Sequence, residues 1–228
     1  MAVLPDRKPN QIYEALRADI LAFQLAPEQA LPERWLEERY GASRTPIRAA
    51  LAWLETEGLV LRSDRIRRVA PLSIDEMREA ISFRACIERQ AVALFTPNAT
   101  ADQLDVLHEL GTTVADPIEA GRPNVDGMLG AAEIFHLEIA RMSGNRFIAR
   151  AVEEVMMRLY RARYMAALSP ERRLRASSDH VAILDAVRKR DSNRASDLLG
   201  DHIERSGAYL LEQLERVSSG SAPFRLEA

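Results

Sequence analysis

The chain has 228 residues, of which 47% are hydrophobic and 29% are charged, and this balance excludes a fibrous or disordered protein. No run of about 18 apolar residues is present and the N-terminus lacks the apolar core of a secretory signal, so we expect neither a membrane span nor export. The single cysteine, Cys86, excludes an internal disulfide and favours a reducing, cytoplasmic location. We expect Cys86 itself to be a small buried residue.

Apolar residues that recur every three or four positions predict three short helices before Gly58. The runs LVLR and IRRVA, joined by residues 63–65, then predict a small basic hairpin. Capping residues and helix breakers set the limits of the three helices, which we place between Asn10 and Pro27, Pro32 and Gly41, and Ser43 and Gly58.

From Ser73 onward the pattern is helical throughout, and no strand is predicted after residue 72. The tetrapeptide SIDE, residues 73–76, is a capping box that opens a long helix to about Phe95, and Thr100 with Gln103 repeats the box before the next helix. Residues 115–124, ADPIEAGRPN, predict an irregular connection. Further helices are expected at about 125–142, 147–167, 171–189 and 192–217.

Three short helices, a three-residue GAS turn before the third helix and a basic hairpin are together typical of a winged helix-turn-helix. The third helix would enter the major groove with Ser43, Arg44 and Thr45 in its first turn and Arg48 one turn behind on the same face. Hydroxyl groups suit phosphate oxygens, and arginine suits the O6 and N7 atoms of guanine. Residues 39–48 contain no acid, which indicates a locally basic surface, although solvated surface arginines are the alternative.

The stretch from residue 11 to 72 resembles the N-terminal domain of the GntR family of bacterial transcription regulators, with SRTPIRAAL and LETEGLV as the specific motifs. By this resemblance Arg34, Arg44, Thr45 and Arg48 contact DNA, and Ser43 caps the recognition helix and adds a phosphate contact. The resemblance also implies a homodimer that binds a near-palindromic operator in double-stranded DNA.

Two positions depart from the family pattern. Phe23 stands where the family has a glycine, which we expect to alter only a turn. The hairpin lacks the glycine that the family places at the tip of the wing. We expect Arg67 to enter the minor groove instead, because narrow minor grooves attract arginine.

Three histidines, His136, His180 and His202, lie on three different predicted helices, each beside an apolar face. A hydrogen-bonded core histidine is the alternative for each one. Taken together they favour a shared metal site, because neutral imidazole is the commonest metal ligand and helical bundles build such sites from facing side chains. His108 lacks apolar company, and we expect it at the surface.

The segments FHLEIARMSGNRFI and DHVAILDAVRKRDSNRASDLLGDHI resemble the all-helical ligand-binding (FCD-type) domain of the FadR-type branch of the same family. The resemblance implies that the three histidines hold a divalent metal such as zinc at the floor of a cavity, where a small carboxylate effector coordinates the metal. The family's fourth ligand, an aspartate, is Ala132 here, and Glu133 would need a local shift to replace it. Three histidines can still hold zinc with an open fourth position, and a metal-free cavity is the alternative.

Four further side chains are candidates for the same cavity. Arg84 precedes Glu88 by one turn, so it forms either a surface ion pair or, by the resemblance, a clamp for the effector's carboxylate. Tyr160 and Tyr164, with Arg163 between them, would line the cavity, although tyrosines at this spacing also serve as packing.

We therefore predict a mostly α protein with a winged helix-turn-helix at residues 1–72, an all-α helical bundle at 73–220 that binds an effector and dimerises, and a tail at 221–228. Its function would be that of a transcription regulator, of the repressor kind, controlled by a small organic or sugar acid. We expect no enzyme, since a zinc hydrolase fused to a DNA-binding module would need a general base that no spacing reveals. An architectural DNA binder is disfavoured, because residues 73–228 hold 20 basic and 24 acidic side chains.

Overall fold

The computed structural model describes residues 9–21, 23–63, 66–113, 118–119, 122–123, 125–167 and 169–218. The chain divides into two compact units, residues 1–73 together with 222–228 (unit 1) and residues 74–221 (unit 2). The fold is mostly α, as predicted, with a small two-stranded hairpin in unit 1. The predicted tail at 221–228 lies outside the described residues.

Unit 1 contains three helices followed by an antiparallel hairpin. Helix α1 packs across α3 through fully buried aliphatic side chains, among them Leu16 and Leu51, and each such side chain contributes about 1.5–3 kcal/mol by leaving water. The hairpin pairs Val60 with Val69, and Ala30 forms an additional bridge with Arg68. The elements are α1 (Pro9–Leu21), α2 (Glu33–Tyr40), α3 (Arg44–Thr56), β1 (Val60–Ser63) and β2 (Ile66–Val69).

The helix limits in unit 1 differ from the prediction at three points. Asn10 lies inside α1 rather than before it, and Pro32 occupies the N-cap position of α2 rather than its first turn. Helix α1 ends at Leu21, because Phe23 has a φ of 57°, a left-handed conformation that ends a helix and that glycine adopts most readily. A glycine, which the family pattern has at this position, would adopt this conformation easily. Here Phe23 adopts it instead, with its ring buried.

Unit 2 is helical apart from one very short ladder. Residues 118–119 pair antiparallel with residues 122–123, so the prediction of no strand after residue 72 was wrong by this single two-residue pairing. The elements are α4 (Ile74–Phe95), a 3₁₀ turn (Thr96–Asn98), α5 (Ala101–Thr113), β3 (Ile118–Glu119), β4 (Arg122–Pro123), α6 (Val125–Met142), α7 (Arg146–Arg158), α8 (Tyr160–Ala167), α9 (Pro170–Arg188) and α10 (Ser192–Ser218).

Local capping signals located the helix starts in unit 2 well. Helix α4 begins directly after Ser73, as predicted. At α5, the Thr100 amide donates to Gln103 Oε1 at 2.9 Å and the Gln103 amide donates to Thr100 Oγ1 at 3.3 Å, which completes the predicted capping box. The single helix predicted at 147–167 is instead two, because the chain turns at the buried Leu159. No glycine or proline marks this break and the apolar periodicity continues across it, so the sequence pattern predicted one helix.

Helices α4 and α10 form the main packing pair of unit 2. Two glycines of α10 permit the close approach: a Cβ at Gly200 would overlap the Arg89 side chain, and a Cβ at Gly207 would overlap Ile81. Cys86, on α4, is exposed, so the expectation that it is buried was wrong. Among the helices of the described residues, none is long and apolar enough to cross a membrane.

Candidate functional site

The first turn of α3 presents the predicted DNA-reading residues on the surface. Ser43, Arg44, Thr45 and Arg48 are all exposed. Ser43 occupies the N-cap position, but its side chain makes no capping hydrogen bond, so the expected cap is absent and its exposed hydroxyl is available at the helix start, where the first amides lack partners within the helix. Such an arrangement suits a phosphate oxygen.

The arginines of this surface are not free cations, because the acids of α2 reach them. Glu33 lies among three guanidinium groups, with Arg48 Nε 2.8 Å, Arg44 Nε 3.6 Å and Arg67 Nη1 3.6 Å from its carboxylate oxygens. Glu37 accepts a second contact from Arg44 at 3.0 Å. The hydrogen bond from Arg48 lowers the pKa of Glu33, which therefore stays ionised at neutral pH. The locally basic surface predicted from residues 39–48 is in fact a mixed network of arginine and glutamate.

Arg67 and Arg34 lie outside the recognition helix α3, on β2 and α2 respectively. Arg67 lies on β2 with only 20% of its side chain exposed, and its Nε is 2.8 Å from Glu55, so the structure holds it against α3 rather than at the tip of the hairpin. The tip itself, residues 64 and 65, lies outside the described residues. Arg34 is 87% exposed and pairs with Glu38 at 3.3 Å, which leaves it accessible.

In unit 2 the three predicted histidines converge. His136 on α6, His180 on α9 and His202 on α10 each offer a nitrogen, and these nitrogens lie within 4.8 Å of one another. All three are buried, and their ring centroids are 4.8–5.4 Å apart. His108 stays at the surface, as predicted.

Carboxylates orient two of the three imidazoles. His136 Nδ1 lies 2.6 Å from Glu88, and His202 Nδ1 lies 3.1 Å from Asp179. An ionised carboxylate only accepts hydrogen bonds, so each Nδ1 carries a proton and each Nε2 is directed to a further partner. Burial by itself would raise the pKa of Glu88, but Arg84 and His136 outweigh it and lower the pKa to about 2. Burial lowers the pKa of His136 to about 3, so that ring is neutral at physiological pH.

His180 is the member of the cluster without a protein partner. Neither of its ring nitrogens makes a hydrogen bond to any described residue, although the side chain is 1% exposed. Its ring stacks on Phe135, with 4.1 Å between the ring centroids. Burial, and to a smaller extent the other two histidines, lower its pKa well below the usual value. A buried polar group left unpaired costs about 1–3 kcal/mol, so a ligand that the structure does not contain accounts best for its position.

The donor set therefore fits a divalent metal. Three imidazoles with two carboxylate partners behind them are the ligands and the second layer that zinc sites use. Ala132 supplies no fourth donor, and Glu133 does not replace it, because its carboxylate lies 3.3 Å from Arg163 and outside the cluster. The fourth position remains open to a ligand from the cavity.

The cluster forms part of the wall of a cavity of about 100 Å³, which is far below the volume of a drug-sized pocket and suits a small molecule. Arg84 lines it: its Nε donates to Glu88 at 2.6 Å, while its buried Nη2 has no partner among the described residues. The predicted ion pair between Arg84 and Glu88 exists, but it is buried rather than at the surface, and the role of Arg84 as a clamp for the effector stays a prediction. Arg163 also lines the cavity, and burial lowers its pKa to about 10.

Tyr160 and Tyr164 do not line the cavity. They pack against Leu129, whose side chain forms part of the wall, so they support the site from behind. Tyr209 of α10 lines the cavity instead, and sequence reasoning did not single it out. Asp179 and the arginines of α9 and α10 also line the cavity, and sequence reasoning did not single them out either. Asp179 precedes His180 directly, which is the one local signal that was available for it.

Comparisons with known proteins agree with this architecture. Residues 8–67 match the family described as bacterial regulatory proteins, gntR family, and residues 79–205 match the FCD domain. The HTH-type transcriptional repressor RspR of Escherichia coli K12 is 27% identical over 226 residues, which is 96% of this chain and 90% of that protein. An uncharacterized HTH-type transcriptional regulator in an unstable DNA locus of Streptomyces ambofaciens is 30% identical over 220 residues, covering 93% and 87%. The solved structure of E. coli McbR/YncC shares the fold, with a TM-score of 0.62 at 22% identity over 94% of this chain and 100% of that one.

Proposed function

The chain belongs to the GntR family of bacterial regulatory proteins and carries an FCD domain, and on this premise we propose that it is a transcriptional repressor whose affinity for its operator is set by a small carboxylate effector bound in the cavity of unit 2. The proposal includes a homodimer on a near-palindromic operator, since each chain carries one recognition helix and a two-fold pair reads two half-sites about one helical turn apart.

The DNA-reading part of the proposal is supported by the exposed start of α3. Ser43 and Thr45 offer hydroxyls to phosphates, and Arg44 and Arg48 present guanidinium groups on one face of the helix. These arginines must exchange Glu33 and Glu37 for DNA on binding. Because these ion pairs must break, DNA has to offer better contacts than the glutamates do. This requirement favours sequence-specific contacts over non-specific attraction to phosphates.

The observation that carries the effector part is the buried end of the cavity, where polar atoms of His180 and Arg84 have no hydrogen-bond partner in the described part of the chain and lie next to two oriented imidazoles. His136, His180 and His202 would hold a divalent metal such as zinc, which would supply a Lewis acid for an anionic ligand. Arg84, which lines the cavity and is fixed by Glu88, would hold the effector's carboxylate, because its buried Nη2 has no acceptor among the described residues.

A metal-free cavity is the second candidate, and Ala132 is the observation in its favour. Because Ala132 replaces an anionic ligand, the three imidazoles would leave the charge of a bound metal without a ligating carboxylate until an anion arrives. In this version no metal would bind at Nε2 of His136 and of His202. The imidazoles would hydrogen-bond the effector directly.

The test begins with selection of an operator from random-sequence DNA by the full chain, followed by fluorescence anisotropy titrations. The protein is first stripped of metal with a chelator, and one half is then reloaded with zinc. We expect one or more small carboxylates to change operator affinity by about 5- to 150-fold in at least one of these two forms. Failure to select any operator would refute the DNA-reading role. An operator whose binding responds to no carboxylate, with zinc or without it, would refute the effector role, and an equal response in both forms would select the metal-free cavity.

A further inference from the structure

The walls of the cavity carry far more positive than negative charge. Six arginines and one aspartate line it. Their exposure differs: Arg84 and Arg163 are 6% and 8% exposed, whereas Arg172 and Arg173 are half-buried and Arg175 is exposed. The cavity therefore has a buried end, formed with the histidines, and a mouth, formed by the three arginines of α9, which we call the mouth arginines.

We infer that the effector carries at least two anionic groups, one bound at the buried end and the other at the mouth arginines. This inference rests on the proposed effector-binding function of the cavity and specifies the chemical class of the ligand. A monocarboxylate would satisfy the buried end alone.

The charge balance around the cavity supports a second anion. Arg172 and Arg175 have no carboxylate within ion-pair distance in the part of the chain that the structure describes, and Arg172 lies over the Tyr209 ring at 4.0 Å. Arg173 donates to the Ala167 carbonyl at 3.0 Å. The three other lining arginines each have a carboxylate: Arg84 pairs with Glu88 at 2.6 Å, Arg163 with Glu133 at 3.3 Å and Arg205 with Asp179 at 2.9 Å.

The position of the mouth arginines in α9 is itself unfavourable without an anion. The helix begins at Pro170, with Ser169 as its cap, and the three arginines follow within its first two turns. The start of a helix carries the positive end of its dipole and favours acidic side chains, so three cations there repel both the dipole and one another. An anion at the mouth would remove this repulsion and accept charge-assisted hydrogen bonds, as guanidinium groups offer to carboxylate and phosphate alike.

The small volume of the cavity limits the ligand. At about 100 Å³ it admits a short acid rather than a nucleotide or a lipid. A compact molecule with acidic groups at both ends, either two carboxylates or a carboxylate and a phosphate, meets the charge and the size together.

The test compares matched acids on the zinc-loaded full chain by isothermal titration calorimetry. The pairs are butyrate with succinate, pentanoate with glutarate, and glycerate with tartronate or 3-phosphoglycerate, so that the last set separates a second carboxylate from a phosphate. We expect one or more of the dianions to bind about tenfold tighter than its monocarboxylate partner. The double variant Arg172→Gln/Arg175→Gln should lose this preference and keep its monocarboxylate affinity, whereas Arg172→Lys/Arg175→Lys should retain most of it.

Arg188→Gln is the matched control, since Arg188 lies in the last turn of the same helix, away from the cavity lining. Equal binding within every pair, or a preference that survives the double glutamine variant, would overturn the inference and leave a single-carboxylate effector standing. If no acid of either kind binds and none alters operator affinity, the proposed effector function fails, and the inference fails with it.

Discussion

Glu33 and Arg48 form a two-point contact between α2 and the recognition helix, with Arg48 Nε 2.8 and 2.9 Å from the two carboxylate oxygens. The same carboxylate lies 3.6 Å from both Arg44 and Arg67. One acidic side chain thus holds together three arginines that come from two separate elements of the DNA-reading surface. It orients them in the free protein and competes with phosphate for them.

Glu33→Gln should loosen this surface. With the carboxylate gone, the arginines lose their common partner and DNA phosphates meet one negative charge fewer, so affinity for scrambled DNA should rise by about three- to tenfold at low salt. The ratio of operator to scrambled affinity should fall. Glu38→Gln is the control, because it removes the same charge from the same helix and touches only the exposed Arg34. Equal effects of the two variants in anisotropy titrations would mean that only net charge matters.

Arg44→Ala should weaken operator binding by about 1–3 kcal/mol and relax the base preference at one position of each half-site. The physical reason is the loss of a guanidinium group at the first turn of the recognition helix, where base edges are within reach. Arg150→Ala removes the same charge from an exposed position of unit 2 and should leave operator affinity unchanged. An operator affinity that Arg44→Ala leaves at the level of the wild type would contradict the placement of α3 in the groove.

His180→Ala should abolish metal retention and the effector response while unit 1 still binds the operator within about twofold of the wild type. Metal content is measured by inductively coupled plasma mass spectrometry after gentle purification, and the effector response by anisotropy. His108→Ala, at the exposed histidine, should change neither. His180→Gln, which keeps a polar side chain, guards against simple unfolding. Retention of a stoichiometric metal in either His180 variant would rule out the three-histidine site.

Glu88→Gln should destabilise unit 2 strongly. The carboxylate is fully buried and lies between Arg84 and His136, so the substitution leaves a buried guanidinium without its counter-charge, at a cost of about 3–5 kcal/mol. Urea denaturation measures the loss. Glu138→Gln breaks a mostly exposed pair with Arg141 on α6 and should cost less than about 1 kcal/mol. Comparable small losses in both variants would show that the buried pair contributes little to folding.

Much of the architecture followed from local sequence alone. The capping box of Thr100 and Gln103, the apolar spacing of α3 and the motif SRTPIRAAL located the helices and the recognition turn, because caps and periodicity act between residues within one or two turns. Such short-range signals did not predict the break between α7 and α8 at Leu159, where the apolar spacing continues. They also did not predict the end of α1 near Phe23, which has a positive φ.

Three histidines beside apolar faces of three helices favoured convergence, and the family resemblance supported it, but spacing alone could not prove it, because the ligands are 44 and 22 residues apart and no local motif joins them. The partners that orient them were not predicted at all. Glu88 is 48 positions from His136, and Asp179 is 23 positions from His202, so helix packing had to bring each pair together.

The sequence by itself determined most of the helical segments, which turn is the candidate for reading DNA and which histidines are candidates for one site, since these depend on short-range order and on motifs. Only the tertiary structure decided that Arg44, Arg48 and Arg67 share Glu33, that Arg84 is buried on a carboxylate, and that the buried His180 ring has no side-chain hydrogen-bond partner among the described residues. The physical reason is that charge pairing and burial depend on distances across the packed helices, and a one-dimensional pattern does not contain those distances.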